Sequence, residues 1–170
     1  MPAAKRLDFV KTSRRKILRF ITIKVMTVAG GLALLIAAQT FSDELFRRSL
    51  LTIETSSGVR QIEVEIAETP AQRSMGLQFR RRLPPNSGML FDFGNVGPVT
   101  MWMKNTPRSL DMLFVDQAGK IVQIEKATKP YSLDLITSKQ PVKAVLELLA
   151  GTSDRLKIRT GDILRHPVFE

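Results

Sequence analysis

The feature that most constrains the fold of this chain is a series of short apolar runs with a two-residue period. In residues 59–67, β-branched side chains at 62, 64 and 66 alternate with glutamates at 63 and 65. This alternation is typical of a β-strand with one buried face. The Ser56-Ser57-Gly58 stretch before it supplies a turn, because glycine adopts a positive φ without steric cost.

Similar runs recur along the rest of the chain at fairly even spacing, with turn residues between them. Because this spacing is typical of sandwiches and barrels, we predict a mainly β fold: a compact β-sandwich or barrel of about seven or eight short strands. Residues 143–151 fit either a strand or a short helix, and we interpret 143–149 as a strand. One or two short helices are expected, one after Thr69 with Pro70 at its first position, and one capped by Thr152. The predicted strands are residues 50–55, 59–67, 89–93, 99–105, 110–116, 120–127, 143–149 and 163–166.

The first 42 residues have the layout of an export signal. A basic segment that includes Arg14-Arg15 precedes the charge-free residues 25–38, and small residues follow. We therefore expect an exported, periplasmic or extracellular protein, cleaved near Ser42 and secreted by the general or the twin-arginine route. The alternative is an uncleaved anchor, formed by residues 17–38, in the inner membrane. The predicted domains are a signal or anchor (1–42), a linker (43–49) and a single β domain (50–170).

The charge distribution argues against a nucleic-acid partner. The net charge is +10, but residues 1–42 hold eight of the 26 basic residues and one of the 16 acidic residues. The remaining 18 basic and 15 acidic residues give residues 43–170 a small excess of positive charge, and we expect no nucleic acid there. Membrane contact is expected only through the N-terminal segment. The chain has no cysteine, which excludes disulfides and thiolate sites.

Few residues suit catalysis or metal binding. The single histidine, His166, lies near the C-terminus, where side chains are positioned poorly. Asp92 and Asp111 are conceivable carboxylate bases, although solvated or turn-bonding roles are the simpler interpretation. Met101 and Met103 resemble a soft-metal pair, but they lie on one side of a predicted strand and fit a core better. We expect no metal and no cofactor.

The other side of the same segment is a candidate ligand-binding surface. Trp102 and Lys104 alternate with the two methionines, Asn105 and Thr106 follow, and Asp111 begins the next predicted strand. If 99–105 and 110–116 form a hairpin, these residues provide an aromatic platform beside polar groups, suited to a small polar ligand such as a sugar or peptide. The alternative is that the polar residues bond the turn while Trp102 fills a second core layer.

Several motifs resemble one known family. The segment MWMKNTPRSLDMLFVDQAGKIV (101–122), with QRSMGL (72–77), GMLFDF (88–93), LELLAGT (146–152) and GDIL (161–164), is similar to the family called domain of unknown function 192. The resemblance covers residues 50–168 and implies a compact, mostly β domain. It also favours the strand interpretation of 143–149. It implies no activity, cofactor or partner.

Three functional hypotheses follow from these observations. The first is a non-enzymatic β domain, expected to be a monomer, that binds a small polar ligand or an envelope protein through the 102–111 surface. The second is a hydrolase-like enzyme with Asp92 or Asp111 as its base. The third is a structural module of the cell envelope.

Overall fold

The computed structural model describes residues 46–170. The predicted signal or anchor segment lies outside the described residues. Within 46–170, no helix is long and apolar enough to cross a membrane. The strands are β1 (Arg47–Thr55), β2 (Gly58–Ala67), β3 (Ser87–Gly97), β4 (Thr100–Met101), β5 (Leu110–Val115), β6 (Ile121–Glu125), β7 (Ile136–Thr137), β8 (Val142–Leu149) and β9 (Ile163–Arg165); the helices are α1 (Pro70–Met75), α2 (Thr152–Leu156) and a 3₁₀ turn (Pro167–Phe169).

Seven strands form one curled sheet in the order β6-β5-β8-β3-β2-β1-β9, and β4 and β7 form a separate pair. Neighbouring strands of the large sheet are antiparallel except β2 and β3. A parallel pair needs a crossover connection, which residues 68–86 provide and which contains α1. A bridge between Lys120 and Ile163 links the two ends of the sheet, so the sheet curls into a half-barrel.

Alternate residues of each strand lie on opposite faces of the sheet, and both faces of its middle strands are buried. On the inner face, Leu90, Leu113 and Leu146 belong to the main core, which is fully shielded from solvent at these positions. On the outer face, Phe91 and Glu147 lie beneath the segments that cross over the sheet. The outer face therefore forms a second, thinner layer, and the cavity described below lies in it.

The mainly β prediction is confirmed, and several local predictions agree with the structure. Residues 143–149 lie in the strand β8, and α1 begins where the Thr69-Pro70 pair predicts. Thr69 and Gln72 form a reciprocal capping box, in which each side chain accepts from the other's backbone N–H. This arrangement satisfies backbone donors that a six-residue helix would otherwise leave unpaired.

Three local predictions are wrong. The strand predicted over 99–105 is only Thr100–Met101, and it pairs with β7 rather than with 110–116, so the proposed hairpin does not exist. Asn105, in the left-handed conformation with φ 54°, turns the chain away from an extended path. Gly151, not Thr152, occupies the cap position of α2. Finally, β1 begins at Arg47, inside the predicted linker.

Candidate functional site

A cavity of about 350 Å³ lies between the outer face of the sheet and the segments that cover it. Phe91 and Phe93 of β3 and Glu147 of β8 contribute from the sheet. The covering walls come from α1 with the residues after it, and from the segment 100–106. The lining residues are Pro70, Arg73, Ser74, Met75, Gly76, Leu77, Gln78, Phe91, Phe93, Thr100, Met101, Trp102, Lys104, Thr106 and Glu147.

Glu147 is the buried titratable group of this cavity. It lies on a central strand, opposite Met89 on one side and Met112 on the other, and its exposed fraction is 4 %. No hydrogen-bond or ion-pair partner for its carboxyl lies among residues 46–170. Burial raises the pKa of Glu147 from 4.5 to about 8, because the charged form loses its hydration. At neutral pH this carboxyl therefore holds its proton and is able to donate a hydrogen bond into the cavity.

Two cations line the same cavity. The Arg73 guanidinium donates through Nη1 to the backbone carbonyls of Glu68 and Asp92, and lies 5.4 Å from the centre of the Phe93 ring. The Lys104 Nζ lies 5.1 Å from the centre of the Trp102 ring. Neither cation has a carboxylate partner within the described part of the chain.

The charge of Arg73 and Lys104 is therefore not compensated by any carboxylate of residues 46–170. Six other basic side chains lie within 4.0 Å of a carboxylate: Arg47, Arg48, Arg80, Lys126, Lys143 and Arg165. With Glu147 protonated, the charged side chains that line the cavity carry a net positive charge. The cavity is therefore electrostatically suited to an anion.

The two covering walls are joined directly to each other. The Asn105 side-chain amide donates to the Gln78 side-chain oxygen (3.0 Å), and the Phe79 backbone N–H donates to the Asn105 carbonyl (2.8 Å). At Gly76, which has φ 47°, an added Cβ would lie 3.1 Å from the Phe91 ring. The close approach and the positive φ together require glycine, which brings the wall down onto the sheet.

The predicted ligand-binding residues divide into three groups. Trp102, Lys104 and Thr106 line the cavity, and Asn105 fastens its wall. Asp111 lies elsewhere: it shares the inner face with Leu113, and its carboxylate accepts from the backbone N–H groups of Ala127 (3.1 Å) and Ser153 (2.9 Å). The geometry therefore brings together four of the five residues around this site, whose binding roles stay predictions.

The other residues considered in the sequence have structural partners. Asp92 accepts from the Gly94 N–H and lies 3.8 Å from the Lys143 amine, outside the cavity lining. Met103 is buried and accepts a hydrogen bond from the Thr128 hydroxyl. His166 is also buried, and its Nδ1 accepts from the Val168 N–H. Within residues 46–170 no group of three potential metal ligands is close enough to hold a metal ion.

Sequence reasoning missed Arg73 and Glu147. Glu147 did leave a signal, because it is the one charged residue in the apolar run AVLELLA (144–150). A strand that is apolar on both faces has no solvated side for a carboxylate. Arg73 left no such signal, since its position in the cavity depends on how the crossover segment folds over β3.

Comparison with known proteins gives a family and two similar solved structures. The family model of domain of unknown function 192, described as "Uncharacterized ACR", matches residues 52–166. A crystal structure from Sinorhizobium meliloti 1021, described as a "putative transcription regulator", is 45% identical, with a TM-score of 0.69 over 71% of this chain and 94% of that one. A protein of unknown function from Novosphingobium aromaticivorans DSM 12444 is 31% identical, with a TM-score of 0.70 over 71% and 86% of the two chains. None of the curated proteins compared with the chain matches it.

Proposed function

This chain belongs to the family called domain of unknown function 192, and we propose that it is a non-enzymatic binding domain for a small polar ligand. The ligand occupies the cavity between the sheet and its covering walls. The observation that carries this proposal is the Glu147 carboxyl, which lies buried at the base of that cavity with no hydrogen-bond or ion-pair partner among residues 46–170. A buried polar group without a hydrogen bond costs about 1–3 kcal/mol, and a ligand that supplies the bond recovers part of this cost.

The shape of the cavity supports a small ligand. Its volume of about 350 Å³ lies at the lower end of the range for small-molecule sites. Trp102, which is 45% exposed, stands at the rim, where its ring provides an apolar surface. Phe91 and Phe93 contribute aromatic surface from the sheet, and Thr106 adds a hydroxyl. A few polar groups among aromatic side chains are typical of sites that hold sugars, peptides or organic acids.

A ligand screen on the full chain tests this proposal. Trp102 is the only tryptophan, so its fluorescence reports on the cavity directly. We expect at least one compound among sugars, dipeptides and organic acids to change the Trp102 emission and to raise the melting temperature. Glu147→Leu, which removes the hydrogen-bond donor, should weaken binding of that compound, whereas Glu125→Leu, on the exposed end of β6, should not.

Asp111→Asn separates the cavity from the surface predicted by the sequence. Because the Asp111 carboxylate accepts two backbone hydrogen bonds on the inner face, this variant should lose about 2 kcal/mol of stability and keep its ligand affinity. Loss of binding with unchanged stability would instead favour the predicted 102–111 surface.

A second candidate function is a hydrolase-like enzyme at the same cavity. The raised pKa of Glu147, due to burial, suits a general acid that works near neutral pH. In this version Glu147 replaces Asp92 and Asp111, because neither of them lines the cavity. Turnover of nitrophenyl esters or glycosides that is abolished in Glu147→Gln would favour the enzyme over the binding domain.

We further propose that the protein acts outside the cytoplasm. The basic and apolar character of residues 1–42 supports export. N-terminal sequencing of the exported protein should find a start near Asp43. An intact Met1 in the membrane fraction would indicate an anchor instead, and a cytosolic full-length chain would contradict export.

A further inference from the structure

We propose that the ligand of the Glu147 cavity is a small organic anion, whose oxyanionic group is bound by Arg73 and Lys104 while Glu147 donates a hydrogen bond to a neutral oxygen of the same molecule. This inference rests on the proposed binding function and names its ligand class. The oxyanionic group is a carboxylate or a phosphate, since both have the same charge and acceptor chemistry.

The first argument is the uncompensated positive charge. Arg73 and Lys104 line the cavity without a carboxylate partner among residues 46–170. The charged side chains that line the cavity are these two and Glu147, and burial keeps Glu147 neutral at pH 7. An amine would meet two like charges there, one of them the Lys104 amine 5.1 Å from the centre of the Trp102 ring.

The second argument is the order of these groups from the rim to the base. Lys104 is exposed, Arg73 is half-buried, and Glu147 is 4 % exposed. An anion therefore keeps its charged end near solvent, where the cost of desolvation is lowest. A hydroxyl or carbonyl oxygen at its other end reaches the carboxyl proton of Glu147. A ligand charged at one end and neutral but polar at the other matches this order.

The third argument is that Arg73 is held in place before the ligand arrives. Its Nη1 donates to two backbone carbonyls, and its guanidinium stacks over Phe93. These contacts fix the orientation of the guanidinium, so less side-chain entropy is lost on binding. Because both acceptors are neutral carbonyls, the guanidinium has no anionic partner among the described residues. The ligand provides that partner.

Probes with one skeleton and different charges test this inference on the full chain. We would titrate glucose, glucosamine, glucuronate and glucose 6-phosphate, and then glycerol, 3-amino-1,2-propanediol, glycerate and glycerol 3-phosphate, following Trp102 fluorescence. At least one anion should bind about tenfold or more tightly than the neutral and cationic probes of its series, as expected for a directly bound charge. Comparison of glucuronate with glucose 6-phosphate distinguishes a carboxylate ligand from a phosphate ligand.

Two variants and a pH series complete the test. Lys104→Gln should weaken anion binding several-fold, while Lys120→Gln, an exposed lysine outside the cavity lining, should not. Anion affinity should also fall above about pH 8, where Glu147 ionises, and this fall should disappear in Glu147→Gln. Arg73→Lys keeps the charge and is expected to lose less affinity than Arg73→Gln, so it controls for damage to the wall.

The outcomes separate this inference from the proposed function. Tighter binding of glucose or glucosamine than of either anion would overturn the inference and leave the binding function standing. Equal anion affinity in the wild type and Lys104→Gln, at every pH, would also overturn it. The absence of any response of Trp102 to all eight probes would count against both.

Discussion

Replacing Glu147 by glutamine should stabilise the protein at alkaline pH. Glutamine keeps the shape of the protonated side chain but never ionises. The pKa of Glu147 rises from 4.5 to about 8 because the residue is buried. One pKa unit corresponds to 1.36 kcal/mol, so forcing the carboxylate into the folded protein costs about 5 kcal/mol. The variant avoids this cost.

The sign of the effect follows from proton linkage. Below about pH 4.5 Glu147 is protonated in the folded and the unfolded chain, and it has no effect on the pH dependence. As the pH rises, the unfolded chain releases the proton first, so the wild type loses stability until the folded pKa near 8 is reached. The stability difference between Glu147→Gln and the wild type should therefore grow by about 1.4 kcal/mol per pH unit across this window.

Denaturant unfolding at half-unit pH steps from 4 to 9 measures this difference. Each comparison is made at one pH, so the other titrating groups cancel. Glu125→Gln is the matched control: it makes the same substitution at an exposed position of β6, and its difference from the wild type should stay nearly constant. A pH-independent difference for Glu147→Gln would refute the assignment of a buried, proton-holding carboxyl.

Three further predictions concern the fold. Arg80→Ala removes a partly buried ion pair in which the guanidinium makes two hydrogen bonds to a carboxylate, and should lower the free energy of unfolding by about 1–2 kcal/mol in a urea titration. Arg165→Ala removes an exposed pair of similar geometry and should lower it clearly less. Gly88→Ala places a Cβ against the Glu147 carbonyl oxygen and 2.7 Å from Leu148 Cδ2, and should lower the free energy of unfolding by about 3 kcal/mol or more. The control is Gly94→Ala, whose added Cβ has nothing within 4 Å. It should lower the free energy of unfolding by only about 1–2 kcal/mol, because of its φ of 73°. Burial lowers the pKa of His166, so the stability it contributes should fall as the pH drops below 6.5; His166→Asn, which keeps an acceptor for the Val168 N–H, should lack this fall when Tm is followed against pH.

Much of the fold is encoded by local pattern. The alternating residues 59–67 turn one face to the core and one to solvent, and they lie in β2. Thr69 and Pro70 specify the start of α1 through hydrogen bonds within four residues. Such features are predictable because the groups that decide them are neighbours in the sequence.

The path of residues 99–110 was not predictable in the same way. Two apolar runs around a polar turn are typical of a hairpin, but the first run pairs with β7, a two-residue strand between the predicted strands 120–127 and 143–149. The choice is decided by contacts distant in sequence, such as that between Asn105 and Gln78. Strand preference depends on such context more than helix preference does.

The candidate site was predictable only at its rim. Strand parity separated Trp102 and Lys104 from the buried methionines, and both line the cavity. Asp111 was assigned to the same surface because a hairpin was assumed, and it lies on the inner face instead. Glu147 comes from a strand about 40 residues further on, and β8 has no sequence signal that places it beneath the 100–106 segment.

The link between the two ends of the sheet has a consequence for self-association. Open sheet edges are templates on which another polypeptide can add a strand, a common start of aggregation. Here the Ile121 N–H bonds the Asp162 carbonyl (2.9 Å), and the Leu164 N–H bonds the Gly119 carbonyl (2.7 Å), so β6 and β9 satisfy each other at this point. A foreign strand would have to displace these bonds before it could pair there. Concentrated solutions of this protein should therefore stay free of edge-to-edge fibres at this junction for as long as the C-terminal strand stays in place.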